Sequence, residues 1–402
     1  MAQMHLKSAD GVAPPMTGAG LLERVRAVLP AIAANADRAE QERRIPSENI
    51  AMLADAGLYR TFQPRIYGGL ELTAEDYAPC LVELAGACGA TAWVSSLLAQ
   101  HVHGTALFSR EAQDEIWGNN NGEDLIASSV APVGKAELVD GGIMLSGKFG
   151  FSSGSDHAQW YILGFRHPGH QPPQDKHFAI IRRGELTIVD DWHTAGMQGT
   201  GSKTLIVDKV FVPDHRIESL VALNTGKARG FGANASPIYH AAFMPHFNIG
   251  FPAVAIGMAK RMAEVYAERT RSRIKVFTGQ NATARSPAAI RLARGIFPTE
   301  AAWSHLEKDL RAIDARGAGR QLPNTDEMFR FRTNHSYCIQ LTIQAAEELF
   351  GGSGGSAWFL SNEMQRLWRN IHMCGAHAGT DYDTCSEVLG RYRLGLDLDP
   401  SL

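Results

Sequence analysis

The sequence has few cysteines, no long apolar run and no excess of charge of one sign. Its five cysteines are odd in number and include no Cys-x-x-Cys pair, which argues against a disulfide framework and favours a reducing, cytoplasmic location. No apolar run approaches the roughly 20 residues of a membrane span, and the first residues lack the apolar core of a signal peptide. The 39 basic and 42 acidic residues form no long block of like charge. We therefore expect neither a membrane nor a nucleic acid as partner.

The hydrophobic pattern changes twice along the 402 residues, a length that suits two or three domains. The first part places apolar residues at helical spacing. The middle part has short alternating or β-branched runs separated by Gly, Pro, Asp and Ser, which predicts an antiparallel β domain. Long helical patterns return after a Gly-rich connector, at about 250–272, 287–316, 326–350 and 361–391. The predicted α+β fold consists of a flexible tail (1–20), an N-terminal helical domain (21–122), a middle β domain (123–218), a connector or substrate loop (219–249), a C-terminal helical bundle (250–396) and a second tail (397–402).

The stretch 145–162, LSGKFGFSSGSDHAQWYI, places small hydroxyl residues between aromatic ones at a strand bend. Such a wall is flat, largely dry and equipped with a few hydrogen-bonding groups, which suits a flat heteroaromatic cofactor. The alternative is a hairpin in which Ser152 and Ser153 satisfy only their own turn. The Gly-rich segment 196–204, which includes Ser202, is likewise either a turn that approaches a ligand or a plain β-turn.

Two apparent nucleotide-binding motifs lack the context that their chemistry needs. Gly142-x4-Gly147-Lys148 imitates a phosphate-binding loop, but Phe149 stands where a metal-binding Ser or Thr is required. The GSG run at 352–354 follows a helical pattern instead of a strand, so no dinucleotide-binding βα turn is predicted. The chain therefore shows no nicotinamide-binding fingerprint of its own.

The histidines do not have the spacing of a metal site. His101 and His103 are two apart, which on a helix points them about 200° from each other. Neither this pair nor His372 and His377 has the i, i+4 spacing of helix-borne ligands, and we predict no metal. His377 and Asp381 are four apart. Either they share a helix face, with the carboxylate orienting the imidazole, or they form an exposed surface pair.

A basic cluster follows the first C-terminal helical pattern, at Arg269, Arg271, Arg273 and Lys275. Arginine matches phosphate geometry with a rigid fork of donors, so an anionic cofactor tail would bind here. The alternative is a solvated helix end.

Several segments together resemble the acyl-CoA dehydrogenase fold from about residue 21 to residue 396. They are the PRIYGG loop, the SGKFGFSSG and AQWYIL hairpin, GMQGTGSKTLIVDKVFVP and the ELFGGSGG turn. Three further runs, TAWVSSLLAQH, SSG-x-DHA and RLWRNIHMCGAHAGTDYD, are similar to the oxygenase components of two-component, reduced-flavin-dependent monooxygenases.

The resemblance implies a set of site residues. Trp93 and His101 would face the cofactor and substrate cavity, and His377 would act as a base or stabilise a phenolate. The flavin would be contacted by Ser128 or Ser129, by Ser152 near its N5, by Ser153, by Arg273 at its phosphate or ring edge, and by Gly351 and Gly352. Arg273 would reach the flavin of a neighbouring subunit in a homotetramer.

The resemblance also implies the reaction. Reduced FMN or FAD from a separate NAD(P)H-dependent reductase, supplied by diffusion, would form a C4a-hydroperoxide with O2 that hydroxylates a small phenolic or indolic substrate. An acyl-CoA dehydrogenase-like reaction is the alternative, but the stretch Ala376 to Gly379 lacks that family's catalytic glutamate. Ile274 stands where an arginine is expected, which leaves the phosphate ligands open. Oxygenation of nitrogen or sulfur, or a metal-binding or purely structural helical oligomer, also remain open.

Overall fold

The computed structural model describes residues 16–274, 276–284 and 286–398. Most of both predicted tails and Lys275 lie outside these residues. Helices precede and follow one central sheet, which confirms the predicted α+β architecture. The α-helices are α1 (Gly18–Ala34), α2 (Ala36–Glu42), α3 (Ser47–Ala56), α4 (Ala74–Ala87), α5 (Gly89–Thr105), α6 (Arg110–Trp117), α7 (Leu220–Thr225), α8 (Phe243–Phe247), α9 (Gly250–Ser272), α10 (Ser286–Ala318), α11 (Thr325–Gly351), α12 (Glu363–Gly375) and α13 (Tyr382–Arg393). The strands are β1 (Ile126–Val139), β2 (Gly142–Ser152), β3 (Trp160–Arg166), β4 (Lys176–Arg182), β5 (Thr187–Val189), β6 (Lys203–Pro213) and β7 (Ile217–Ser219).

Helix α5 is buried along its whole length. Its many Ala, Ser and Gly residues allow neighbouring helices to approach closely, and α9 packs against both α5 and α4. At the contact of α4 with α9, Gly257 has no room for a side chain, because a Cβ there would lie 2.2 Å from the Val82 carbonyl oxygen. The polar residues of α5 are therefore held in fixed positions inside the molecule.

The central sheet has the strand order β5-β6-β2-β1-β3-β4-β7. It is mixed rather than purely antiparallel, because the chain leaves β2, crosses to the far side of β1 and pairs β3 parallel to β1. The pairing of β2 with β6 is irregular between Phe149 and Ser152. Phe151 lies in this irregularity with a φ of 61°, a left-handed conformation that is strained for a bulky side chain.

The last helical pattern, expected at 361–391, is divided into α12 and α13. The Asp381 side chain accepts a hydrogen bond from the Thr384 backbone N–H and caps the start of α13. Thr380 closes the linker by donating its hydroxyl hydrogen to the Cys374 carbonyl at 2.9 Å. His377 lies in this linker, so it does not share a helix face with Asp381, and the alternative in which the carboxylate orients the imidazole is wrong.

We find no helix in the described part of the chain that is long and apolar enough to cross a membrane.

Candidate active site

A cavity of about 330 Å³ lies where α5, the sheet, the connector and the α12–α13 linker meet. The lining residues are Trp93 and Leu97 from α5; Ser128, Ser129, Val130 and Ala131 from β1; Gly150, Phe151 and Ser153 from β2 and the turn after it; Trp192, Met197, Thr200 and Ser202 from the segment before β6; Met244, Phe247 and Asn248 from α8 and its C-terminal end; and Met373, Ala376, His377, Ala378 and Gly379 from α12 and the linker. No Lys, Arg, Asp or Glu of the described residues lines it. The cavity is therefore apolar with a few neutral polar groups, the usual character of a small-molecule site.

A chain of hydroxyl groups forms one wall of the cavity. Trp93 donates its indole N–H to Ser153 Oγ at 3.3 Å, and Ser153 Oγ lies 2.7 Å from Ser202 Oγ. Ser202 Oγ lies 2.7 Å from Thr200 Oγ1, which donates its hydrogen to the Met197 carbonyl at 2.8 Å. Because the Thr200 hydrogen is committed to a carbonyl, Ser202 must donate to Thr200 and Ser153 must donate to Ser202. Ser153 therefore offers a ligand only a lone pair.

The Met197 carbonyl also fixes a second aromatic residue of the cavity. Trp192 donates its indole N–H to this carbonyl at 3.0 Å. The Trp192 ring meets the ring of Phe151 edge-on, with centroids 5.9 Å apart. Phe151 itself is 74% exposed, so it lies at the rim of the cavity rather than in the core.

The two serines of β1 differ in their hydrogen bonds. Ser129 donates its hydroxyl to the Gly150 carbonyl at 2.7 Å and so ties β1 to the irregular end of β2. Ser128 lines the cavity and makes no side-chain hydrogen bond to any described residue. Its hydroxyl is therefore free to donate to or accept from a ligand.

His377 presents one ring nitrogen as a donor. Its Nδ1 accepts a hydrogen bond from the Gly379 backbone N–H at 3.1 Å, so in the neutral ring the proton resides on Nε2. The ring packs against Phe251 and Trp93, with centroids 4.4 and 5.6 Å away. Burial lowers the pKa of His377 from 6.5 to about 4. At neutral pH it is an uncharged N–H donor, which favours stabilisation of a phenolate over proton abstraction.

The connector supplies the remaining polar group. Asn248 is 3% exposed and lines the cavity, and its Oδ1 has no hydrogen-bond partner among the described residues. Buried amide groups without partners are costly, so this position is suited to a polar ligand atom or a bound water. Met244 and Phe247 from the same segment make the surrounding surface apolar.

Two of the predicted catalytic residues do not line the cavity. Ser152 is fully buried beside it, and its Oγ has no partner in the described part of the chain. His101 donates Nδ1–H to the Ile126 carbonyl at 2.8 Å and lies behind Phe247, with ring centroids 5.4 Å apart. Burial lowers the pKa of His101 to about 4, so it is neutral as well.

The predicted cofactor residues separate into two groups. Trp93, Ser128, Ser129 and Ser153 line the cavity with the predicted catalytic His377. Arg273, Gly351 and Gly352 lie elsewhere, where the Arg273 guanidinium donates to the Gly352 carbonyl at 2.9 Å. The arginine and the glycine turn are thus brought together, but away from the lining of the cavity.

Sequence reasoning missed Phe151, Trp192, Met373 and Asn248. Phe151 belongs to the stretch 145–162 but was not named as a site residue, and Trp192 read as an ordinary turn aromatic, because nothing in the sequence reveals the positive φ or the indole hydrogen bond. Met373 belongs to a helical pattern, and nothing about a methionine at this position indicates a role in a site. Asn248 ends a short helix in the predicted substrate loop, and an asparagine amid apolar residues there was a usable signal.

The chain resembles known proteins over nearly all of its length. Two family models match, the acyl-CoA dehydrogenase N-terminal domain at residues 20–118 and the acyl-CoA dehydrogenase C-terminal domain at residues 249–382. The p-hydroxyphenylacetate 3-hydroxylase oxygenase component of Acinetobacter baumannii is 42% identical over 390 residues, which are 97% of this chain and 92% of that protein.

Solved structures agree with the family models. The 3-HSA hydroxylase from Rhodococcus sp. RHA1 superposes with a TM-score of 0.89 and 30% identity, over 95% of this chain and 99% of that one. XiaF from Streptomyces sp., in complex with FADH2 and glycerol, gives a TM-score of 0.87 and 26% identity, over 96% of this chain and 97% of that one.

Proposed function

The chain belongs to the flavin-dependent monooxygenases of acyl-CoA dehydrogenase fold, and we propose that it is the oxygenase component of a two-component system that hydroxylates an aromatic substrate. One oxygen atom of O2 enters the ring and the other leaves as water, with two electrons from reduced FMN or FAD. A separate NAD(P)H-dependent reductase supplies the reduced flavin by diffusion. The complex of XiaF with FADH2 supports a reduced flavin in this fold.

The residues of the cavity fit a reduced flavin. When bound, such a flavin supplies the electrons that activate O2. Reduced flavin carries a hydrogen on N5, and the hydroxyl chain leaves Ser153 with a lone pair to accept it. The single observation that carries the proposal is this orientation of Ser153, set by the Thr200 and Ser202 hydroxyls. The indoles of Trp93 and Trp192 add flat surfaces at which water is excluded.

The substrate side of the cavity fits a phenol better than an indole, because its donors suit a substrate oxygen. His377 Nε2–H can donate to the substrate oxygen and stabilise a developing phenolate, which makes the ring more nucleophilic. Ser128 can complete the hydrogen bonds of the same oxygen. Oxygenation at nitrogen or sulfur would use the same cofactor wall, but it gives the His377 donor no phenolate to stabilise.

An acyl-CoA dehydrogenase reaction fits less well. It requires a base that abstracts a proton next to the thioester carbonyl, and no carboxylate of the described residues lines the cavity. The neutral His377 cannot replace it while Nε2 holds the proton. Tight binding of oxidised FAD with bleaching by an acyl-CoA would support this second function.

The oligomeric state proposed for the enzyme is a homotetramer. Trp358, Phe359 and Leu360 form a consecutive apolar run that is between 64% and 80% exposed, which is unusual for a monomer. In such an assembly Arg273 would contact the flavin of a neighbouring subunit. Sedimentation velocity of the purified chain measures the state directly, and a monomer or a dimer at micromolar concentration would contradict this assignment.

The function is tested with the purified chain, a panel of phenols and indole, and either a flavin reductase with NADH or photoreduced flavin. We expect hydroxylated product only when reduced flavin and O2 are both present. Added hydrogen peroxide with oxidised flavin is the control, since peroxide released in solution should give no product. The proposal would be contradicted if, with every phenol and indole tested, the bound reduced flavin were only oxidised while O2 was reduced to hydrogen peroxide.

A further inference from the structure

We infer that the cavity selects electrically neutral phenols over phenols that carry a carboxylate. The inference deepens the proposed function and rests on it for the identification of a phenol as substrate. Its starting point is the composition of the cavity wall, in which none of the described residues is Lys or Arg. A carboxylate inside this cavity would therefore lose its hydration without gaining a cation.

Two cations near the wall along the chain, Lys203 and Arg369, have carboxylate partners. Lys203 follows the lining residue Ser202, but its Nζ lies 2.9 Å from Asp156 and 3.6 Å from Asp190. Its side chain is only 11% exposed, so it cannot swing into the cavity without breaking a buried ion pair.

The second neighbouring cation is Arg369, one helical turn before the lining residue Met373. Its guanidinium lies 2.7 Å from Glu40 and also donates to the Ala195 carbonyl. Both terminal nitrogens of the guanidinium therefore already have acceptors. A bound carboxylate would have to compete with Glu40 for it.

His377 does not supply the missing positive charge. Protonation of its Nδ1 would convert the hydrogen bond from the Gly379 N–H into a clash of two donors. Packing against Phe251 and Trp93 further disfavours a charged ring. His377 thus remains a neutral donor for a hydroxyl oxygen.

The groups that remain for a ring substituent are uncharged. Asn248 is uncharged and offers an unpartnered amide oxygen, an acceptor that suits a hydroxyl or N–H and gives an anion no cation. Met244 and Phe247 provide apolar surface beside it. The preferred substituent is accordingly an alkyl group, an ester, an alcohol or an amide.

The test is equilibrium binding by calorimetry, without turnover, to the chain with reduced flavin under anaerobic conditions and to the chain alone. The ligands share one ring: 4-ethylphenol, 4-hydroxyphenylacetate and the methyl ester of 4-hydroxyphenylacetate, at pH 7.5. We expect the acid to bind at least about 100-fold more weakly than 4-ethylphenol, which equals about 2.7 kcal/mol. The ester, which has a similar shape but no charge, should recover most of the affinity. Equal binding of acid and ethylphenol, or equally weak binding of acid and ester, would overturn the inference.

A charge introduced into the wall tests the same idea in the opposite direction. Met244 is a partly buried lining residue with a long unbranched side chain, so Met244→Arg can place a guanidinium at the cavity edge. We expect at least a tenfold gain in affinity for the acid, whereas Met244→Leu should leave the order of ligands unchanged. Retained binding of 4-ethylphenol shows that each variant is folded. An arginine variant that binds 4-ethylphenol but gains nothing for the acid would contradict the inference.

Failure of the inference and failure of the proposed function are distinguishable. If no phenol is hydroxylated while the neutral ligands still bind more tightly, the hydroxylase assignment is wrong and the charge selection stands. If acids and neutral phenols are hydroxylated with equal kcat/KM, the hydroxylase assignment stands and the charge selection is wrong.

Discussion

At the scale of single residues, the orientation of one hydroxyl hydrogen distinguishes two adjacent serines. Ser153 is fixed by Trp93 and Ser202, whereas the Ser152 hydroxyl has no partner in the described chain. The sequence predicted a serine wall here, but it could not separate the two serines. The separation depends on the irregular register around Phe151, which no pattern of residue types encodes.

Ser153→Ala should lower stability by about 1–3 kcal/mol, because it leaves the buried Trp93 N–H without an acceptor. Ser152→Ala, the matched control, removes a buried hydroxyl that has no partner in the described chain, so it should not lower stability. Urea unfolding of the flavin-free chain measures both values. If Ser153 also accepts the N5 hydrogen, only Ser153→Ala will speed the loss of oxygenated flavin as peroxide. If only Ser152→Ala speeds the loss of oxygenated flavin, Ser152 is the acceptor of the N5 hydrogen instead.

His377→Ala should slow hydroxylation by about 10- to 100-fold, because the phenolate loses a charge-stabilising donor. Reaction of the bound reduced flavin with O2 should change little, so more of the reducing equivalents will appear as peroxide. His377→Gln, which keeps an N–H donor, should recover part of the hydroxylation rate. Rapid-mixing spectroscopy with product analysis measures both steps, and unchanged coupling in the Ala variant would remove His377 from the mechanism.

At the scale of elements, the packing of α4 against α9 depends on the absence of a side chain at Gly257. A Cβ there would lie 2.7 Å from the Cβ of Ala85 as well as against the Val82 carbonyl. Gly257→Ala should therefore destabilise the chain by about 1–3 kcal/mol through overpacking.

Gly390→Ala is the matched control for that substitution. Gly390 is exposed in α13, and a Cβ there would meet nothing within 4 Å. The same change should stabilise the chain by up to about 1 kcal/mol through helix propensity. Thermal unfolding of the two variants compares them directly, and shifts of the same sign would contradict the packing explanation.

The sequence predicted the helices of the C-terminal bundle, but it did not predict the break between α12 and α13. Three of the four C-terminal patterns end within two residues of the helices α9, α10 and α11. The fourth pattern did not reveal the linker that carries His377. Asp381 caps the start of α13, but its i, i+4 spacing from His377 is also what a pair on one continuous helix would show. A cap and a mid-helix pair use the same residue types, so spacing alone cannot distinguish them.

At the scale of the whole molecule, buried histidines make stability depend on pH. Burial lowers the pKa of His101, His103 and His377 from 6.5 to about 4. The unfolded chain therefore binds more protons than the folded one between pH 6.5 and pH 4. Their contribution to stability is complete above pH 6.5 and is lost as the pH falls toward 4, at up to about 1.4 kcal/mol per pH unit for each group.

His103→Gln should reduce this pH dependence. Glutamine can keep the N–H donated to the Ile238 carbonyl but does not titrate in this range. Between pH 6 and pH 5 the free energy of unfolding should fall by about 1.2 kcal/mol less than in the parent chain. Urea titrations at the two pH values measure the difference, and parallel slopes would show that His103 is charged in the folded state or does not titrate.

The three-part architecture was predictable because each part has its own hydrophobic period. The parallel pairing of β3 with β1, which makes the sheet mixed, was not predictable. An alternating pattern indicates a strand but does not indicate which strand it pairs with. The position of Arg273 away from the cavity was not predictable either. It depends on the course of the chain after α9, which brings Arg273 to the Gly352 carbonyl.

The cavity is built from two supports that are far apart in the sequence. The sheet and the segment around Ser202 form the hydroxyl and indole wall, while the connector and the α12–α13 linker present Met244, Asn248 and His377. Substitutions on the second support can alter which molecule is accepted without disturbing the first. In related chains, the hydroxyl and indole wall can therefore stay constant while substitutions in the short segment around Met244 change which small molecules the cavity accepts.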